Sequence, residues 1–391
     1  MANAIDISNS PCVSVSKADL ARALSKVKGA VAKSLAMPLL ECVKLESDGS
    51  SLTVTCTDLY THVSAKVPAD GAPFVACVPF KALAERIKAL PKGSITLAPA
   101  PFFGPDASKD SSLTVGPYTV RGIDADEFPA IASVDDKGAN SIAADVLRGM
   151  FDRTFASISK DETRVHLNAL LLEWTDNEAR MVATDGHRLA FERAHVATRQ
   201  LEPVSFLLSR SAVVAVRSAI KGTDGLVSLA FGTNGSHAQC VTFRANGVTV
   251  TSRGVDAEFP PYAQVIPANH PTSVRLSRVA FIDAVRTVAV AASDRTGGIK
   301  LSVGRFGFFL SAESPDSGNA HASLPTIGDP PVNEFMAGVN SVYLLDALTS
   351  LECDEFIFSC NGPLDPMTIH PYNVDTLAPA DSLAVVMPMQ I

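Results

Sequence analysis

The chain has 391 residues, 47% of them hydrophobic and 19% charged, with a net charge of −8. That length suits two or three globular domains with ample apolar surface to bury. The acidic balance argues at first against a nucleic-acid partner, since phosphate binding needs a basic surface. No run approaches 18 apolar residues, and the first 20 show no basic stretch followed by an apolar one. Neither a membrane span nor a signal peptide is expected. The seven cysteines are scattered and form no CxxC pair, so reduced thiols in a cytoplasmic protein are expected, with no metal and no cofactor.

Taken in chain order, the pattern runs three times. Residues 16–31 place Leu20, Leu24, Val27 and Val31 on one stripe, the spacing of an amphipathic helix. Residues 40–67 then read strand, polar turn, strand, Thr-Asp, strand, and a second helical pattern follows at 79–92. "DADEFPAI" (124–131) closes this segment. The second pass opens at 143–160 with Leu147, Phe151, Thr154 and Ile158 on one face. It repeats the strand order at 167–194 and the second helix at 209–221, and closes on "VDAEFPPY" (255–262). The third opens at 276–293 with Phe281, Val285 and Val288, gives a weaker strand copy at 298–318, and ends in a helix at 340–353. The second helices begin 130 and 131 residues apart. This predicts an α+β protein of three similar domains, 1–138, 139–270 and 271–391, each with two helices packed on antiparallel sheets.

The six helical stretches hold 16 Lys or Arg against 7 Asp or Glu, a balance of +9 in a chain of −8. Basic charge is gathered on helices and acidic charge lies elsewhere, although the sixth stretch, at −2, departs from the pattern. Exposed helix faces bearing Lys17, Arg22, Lys26, Lys81, Arg86, Lys88, Arg148, Arg153, Arg210, Arg217 and Arg286 would attract phosphates without reading bases. Helix surfaces are also where lysine and arginine ordinarily go.

"VATDGHRLA" (182–190) raises a question of chemistry. Asp185 and His187 are two apart and could share a strand face as a catalytic dyad; a turn through Gly186 at a strand end is the plainer reading. No GxSxG, HExxH, GxGxxG or GxxxxGK[ST] occurs, and the eight histidines never pair at i, i+4. The chain is therefore expected not to be an enzyme, and no residue is assigned as catalytic. A repeat protein that uses a pocket for some other partner is the remaining alternative.

TDGHRLA, together with the terminal "VVMPMQI" (385–391), resembles the bacterial DNA polymerase III beta subunit family, the sliding clamps. "AMPLL" (36–40), "CTDLYTHV" (56–63), "DETRVHLN" (161–168), "EFPPYAQVIP" (258–267) and "SVYLLDAL" (341–348) are also similar to that family, in order, from about residue 12 onward. The resemblance implies the DNA clamp fold, with two chains joined head to tail in a homodimer ring that encircles duplex DNA topologically and without sequence preference. It implies a processivity factor whose partners are the DNA polymerase III alpha subunit, the clamp loader, and other polymerases and repair proteins bound through short linear peptides, with no membrane partner.

By match to the family's pattern, TDGHRLA belongs to a peptide-binding pocket containing Leu167, Thr184, Gly186, His187, Arg188, Leu189, Pro260, Val265, Val385, Val386, Met387, Pro388 and Met389. Such an apolar, methionine-rich groove can adapt to several ligands. Lys33 is added to the DNA-facing set, and Tyr118, Val120 and Val290 are the expected dimer contacts. The chain departs from the family's pattern at Gln264 and Gln390, where arginines are common, at Thr296, where an aromatic is frequent, and at Pro366, where a serine stands.

Overall fold

A computed structural model describes residues 11–390 apart from 33–36, 101–111, 130–133, 135–138, 176, 197–202, 235–236, 269–271, 294, 329–333 and 373–381. The expectation for Lys33 lies outside the described residues. Six helices lie where the apolar stripes predict them: α1 (Lys17–Val27), α2 (Phe80–Ala89), α3 (Ala144–Phe155), α4 (Arg210–Ile220), α5 (Arg278–Ala289) and α6 (Ser341–Thr349). The stripes are the buried faces. Leu20, Leu24 and Val27 of α1, Leu147, Phe151 and Thr154 of α3, and Phe281, Val285 and Val288 of α5 are all buried. The first helix stops short of Val31, passing through a 3-10 turn at Lys28–Ala30 to extended backbone at Val31; Gly29 in that turn passes against α4, where a Cβ would lie 2.8 Å from the Ala215 Cα.

The chain forms two compact units, Met1–Arg148 with Ser211–Gly254, and Gly149–Arg210 with Val255–Ile391. In the first, strands run in the order Tyr118–Arg121, Ser112–Val115, Ser94–Ala100, Val13–Ser16, Thr61–Gly71, Val248–Arg253, His237–Ala245, Leu226–Asn234, Asn140–Ala143. Ser51–Thr57, Cys42–Ser47 and Phe74–Pro79 branch from Thr61–Gly71. In the second unit an eight-stranded sheet runs Val204–Ser209, Ala169–Trp174, Glu178–Thr184, Arg188–His195, Ser382–Val386, Met367–Tyr372, Glu355–Cys360, Thr272–Ser277. A four-stranded sheet there runs Gly318–Leu324, Gly307–Ser314, Gly298–Gly304, Phe335–Asn340. Every strand pair is antiparallel. The units do not follow the repeats, because strand pairing stitches half of one repeat to half of the next: Thr61 faces Ser252, and Arg188 faces Val386.

The repeats are nonetheless visible in recurring local bonds. The last carbonyls of a helix have no intrahelical partner, and a cation there also meets the negative end of the helix dipole. Lys17, at the start of α1, donates to the Lys88 and Leu90 carbonyls that end α2. Arg278 opens α5 and donates to Leu348 (3.3 Å) and Cys353 (2.5 Å) beyond α6. Arg210 opens α4 and donates to the carbonyls of Phe155 (3.5 Å), the last residue of α3, and of Ile158 (2.6 Å) just beyond it. A second recurrence ties each repeat's closing strand to its sheet. The bonds are Ile123 N to Cys77 O (2.9 Å), Val255 N to Leu207 O (2.9 Å) and Met389 N to Gly338 O (2.9 Å).

The first unit carries a polar seam where Thr61–Gly71 meets Val248–Arg253. Thr57, Thr61, Thr242, Thr251 and Ser252 are buried there, and His62 has its Nδ1 buried with no hydrogen-bond partner among the described residues. Burial holds the His62 pKa below its ordinary 6.5, with nearby Lys44 lowering it further and Glu46 opposing. A histidine with a depressed folded pKa is protonated first in the unfolded chain, so stability is full above the ordinary value and falls as pH drops through it. Thermal unfolding at pH 7.5 and pH 5.5 should show this loss, and His62→Gln should flatten it.

Candidate functional site

The TDGHR segment is a hydrogen-bonded turn joining Glu178–Thr184 to Arg188–His195. The Thr184 hydroxyl donates to the Arg188 carbonyl (2.7 Å) and accepts from Gly186 N (3.1 Å). Asp185 Oδ1 accepts from His187 N (3.0 Å) and Arg188 N (3.1 Å), while Oδ2 accepts from Arg188 Nε (3.0 Å). Threonine and aspartate suit such turns because their short side chains bond the backbone two or three residues on. The Asp185 carboxylate is thus engaged by the turn and by Arg188, and the His187 ring lies parallel to Tyr343 with centroids 6.4 Å apart. The catalytic-dyad reading fails on this geometry.

"CTDLYT" builds the same turn in the first repeat. The Thr57 hydroxyl donates to Thr61 O (2.9 Å) and accepts from Leu59 N (3.2 Å), and Asp58 Oδ1 accepts from Tyr60 N (3.0 Å) and Thr61 N (2.6 Å). Gly186 has φ +92, and Leu59, at the matching position, is forced to φ +78. A side chain at Gly186 would meet open space, with Arg164 Nη1 3.9 Å away. Gly186→Ala should therefore cost about 1–2 kcal/mol through backbone strain alone. Leu59→Gly should relieve comparable strain. Denaturant midpoints of the two variants check both signs.

Arg188 organises the site. Its side chain is 10% exposed; Nη1 bonds Asp346 Oδ2 on α6 at 2.6 Å, and Nη2 bonds Ala156 O, just past α3, at 2.5 Å. The guanidinium carbon also lies 4.5 Å from the centre of the Tyr343 ring. One side chain joins the turn, α6 and the end of α3, with charge-assisted bonds that a lysine could not reproduce. Beside it, Arg153 Nε pairs with Glu192 Oε2 at 2.8 Å, and the Ser382 hydroxyl donates to Glu192 Oε1. Glu192 is 2% exposed, so this ion pair is internal. The two clusters line a narrow cleft of about 20 Å³ with Leu189, Val385 and Val386.

Of the expected pocket residues, Thr184, Gly186, His187, Arg188, Leu189, Val385, Val386 and Met387 are brought together. Arg188 pairs with Val386, Leu189 with Val385, and Met387 N donates to His187 O at 2.9 Å. Leu189 and Val385 are buried with Leu171, Val182 and Leu207. Pro260 and Val265 lie on the segment whose Phe259, Tyr262 and Ile266 pack on that cluster. Leu167 is buried just ahead of Ala169–Trp174. Met387, Pro388 and Met389 are half-buried. Met389 parts from the rest and bridges to Gly338, so the tail is pinned at two points and does not lie loose on the surface.

The expected DNA-facing residues divide sharply. Arg22, Lys81, Lys88 and Arg286 are exposed. Others are committed within the fold. Besides Lys17, Arg153 and Arg210, Lys26 donates to Ala219 O (2.7 Å) and Lys221 O at the end of α4. Burial, with Arg148, Arg22 and Lys221 nearby, holds its pKa down. Arg148 bonds Thr223 O (2.9 Å), Arg86 bonds Ala82 O (2.9 Å), and Arg217 is half-buried. Counting charge on helices missed this because the same residues that decorate a basic face also satisfy helix ends. Of the expected dimer contacts, Tyr118 is 36% exposed on an edge strand and Val290 is 79% exposed past α5, whereas the Val120 side chain is buried. Asp346, Tyr343 and Glu192 were not expected at the site. The first two sit in "SVYLLDAL", where periodicity signals only a helix.

This arrangement of stitched antiparallel sheets and paired helices is that of DNA polymerase sliding clamps. The crystal structure of the clamp from Pseudomonas aeruginosa matches with a TM-score of 0.84 at 25% identity, covering 97% of this chain and 100% of that one. The DNA polymerase III beta subunit from Thermotoga maritima matches at 0.83 and 26%, with 97% and 100% covered. Family models of the DNA polymerase III beta subunit N-terminal, central and C-terminal domains match residues 12–131, 141–261 and 263–390. The beta sliding clamp of Synechococcus elongatus is 30% identical over 388 residues, 95% of this chain and 97% of the relative. The chain belongs to the bacterial DNA polymerase III beta subunit family, the beta sliding clamps, and is a non-enzymatic processivity factor of DNA replication.

Proposed function

We propose that the chain works as a cytoplasmic homodimeric ring around duplex DNA, built from clamp domains that meet near residues 138 and 270. The observation that carries this reading is a pair of open sheet edges. Within the chain, repeats join by antiparallel strands in one register: Thr61 opposite Ser252 with Arg253 N bonding Tyr60 O (2.9 Å), and Arg188 opposite Val386 with Met387 N bonding His187 O (2.9 Å). Tyr118–Arg121 and Gly318–Leu324 end their sheets and have no second strand partner among the described residues. Unpaired edges of this kind are templates for another strand. Repeating the internal register sets Val120 of one protomer opposite Gly318 of the next, with Arg121 N bonding the Ser317 carbonyl. Two such contacts close a ring.

Inside the ring the exposed cations Arg22, Lys81, Lys88 and Arg286 face the phosphates, and the Thr184–Met387 groove receives short peptides from the polymerase alpha subunit, the clamp loader, and other polymerases and repair proteins. A loaded ring should stay on circular DNA and slide off once that DNA is linearised, with a solution mass about twice the 41.1 kDa of the chain. Arg22→Ala, Lys81→Ala and Lys88→Ala together should flatten the salt dependence of DNA association by roughly 0.9 log–log unit for each phosphate no longer neutralised. A monomeric mass, or equal retention on linear and circular DNA, would sink the proposal.

A further inference from the structure

Strand register makes Cys42, Ala169 and Gly298 equivalent, facing Pro79, Ser209 and Asn340 in turn, and likewise Cys77, Leu207 and Gly338, facing Lys44, Leu171 and Lys300. In the first repeat this outer sheet face is covered by the segment that follows the Ile123–Cys77 bond: Phe128 is 8% exposed and packs on Cys42 and Cys77. In the second it is covered by the segment after the Val255–Leu207 bond, where Phe259 and Tyr262 pack on Ala169, Leu171 and Leu207. Both covering segments have the same chemistry, Asp-Ala-Asp-Glu-Phe-Pro and Asp-Ala-Glu-Phe-Pro-Pro.

In the third repeat Met389 makes the matching bond to Gly338, and its Sδ and Cε lie 3.4 and 3.3 Å from where a Gly298 Cβ would stand. Among the described residues no segment beyond Met389 other than Gln390 reaches this face, which bears a cleft of about 570 Å³. Met336, 52% exposed, and Leu364, 75% exposed, border it. Lys300 and His321 also line it, against the one carboxylate of Glu313. We infer that this face is a docking site for an extended acidic segment bearing phenylalanine followed by proline, supplied by a partner protein. The partner's aromatic ring takes the place of Phe128 and Phe259, and its carboxylates face Lys300 and His321. Met389, expected in the peptide pocket, borders this face too, but Lys300, His321 and Met336 lie outside the proposed groove at Thr184–Met387.

The probe is a fluorescent peptide with the sequence of residues 253–262, titrated against the full chain by anisotropy. Saturable binding is expected. Changing the peptide's Phe259→Ala, or the protein's Met336→Lys or Lys300→Glu, should weaken it by roughly tenfold or more, as for loss of an interface anchor. Each protein change is at an exposed position, and His187→Ala, in the separate groove, should leave the probe's affinity unchanged. Absence of saturable binding, equal affinity for Met336→Lys and the unmodified chain, or loss of the probe in His187→Ala would each overturn the assignment.

Discussion

If the chain forms the proposed homodimer ring, Thr119→Pro should convert it into a particle of 41.1 kDa. Arg253 N points away from His237–Ala245, the neighbouring strand of its own repeat, toward Tyr60, and residues two apart on a strand share a side. Thr251, opposite His62, therefore presents its backbone to the same neighbour. Thr119 and Arg121 hold the corresponding positions on Tyr118–Arg121, the sheet's last strand. Proline at 119 removes an outward donor and puts ring bulk in the path of an approaching strand, yet leaves the pairing with Ser112–Val115 intact. Losing that bond and its fit should cost about 3 kcal/mol, on the order of a hundredfold in dimer dissociation constant. Analytical ultracentrifugation with thermal unfolding separates the outcomes. A dimer of unchanged mass removes this edge from the interface.

Arg188→Ala should be the most damaging single change at the site. It takes the guanidinium from Asp185 Oδ2, on a carboxylate 17% exposed and otherwise held by two backbone N–H groups, and removes the bonds to Asp346 and Ala156. Breaking one partner of a largely buried pair costs several kcal/mol; with Asp346 38% exposed and partly screened, about 3 kcal/mol is expected. The melting temperature should fall by roughly 6–12 °C, and groove-directed clamp-binding peptides should bind on the order of tenfold more weakly as the turn loosens. Arg188→Lys should recover little, because an ammonium cannot reach Asp185, Asp346 and the Ala156 carbonyl together. Calorimetry on the three proteins checks both readouts.

Much of the fold was legible because helix burial follows a simple period: Leu20–Leu24–Val27 and Phe281–Val285–Val288 announce both the helix and its hidden face. The turn at Thr184–Arg188 was legible too, because Thr-Asp dictates local bonds, and its twin at Thr57–Thr61 shows the same dictation with leucine in the glycine position. Partnership across distance was not legible. Nothing in "FERAH" marks Glu192 as the buried mate of Arg153, and nothing in "SKVKG" shows Lys26 reaching 193 residues along the chain to Ala219 O. Nor does periodicity reveal that half of the second repeat shares a sheet with the first and half with the third. Strand pairing is a property of edges, and edges are not written in the spacing of apolar residues.

That stitching limits how the protein can be taken apart. A fragment cut at 139 and 270 would carry Arg188–His195 without Ser382–Val386, and Val248–Arg253 without Thr61–Gly71. Both strands would present bare backbone donors and acceptors to whatever strand came next, so the excised central repeat should polymerise edge to edge when it is expressed alone. Exchanging single repeats between such proteins meets the same obstacle, since each graft must bring two foreign seams into register at once.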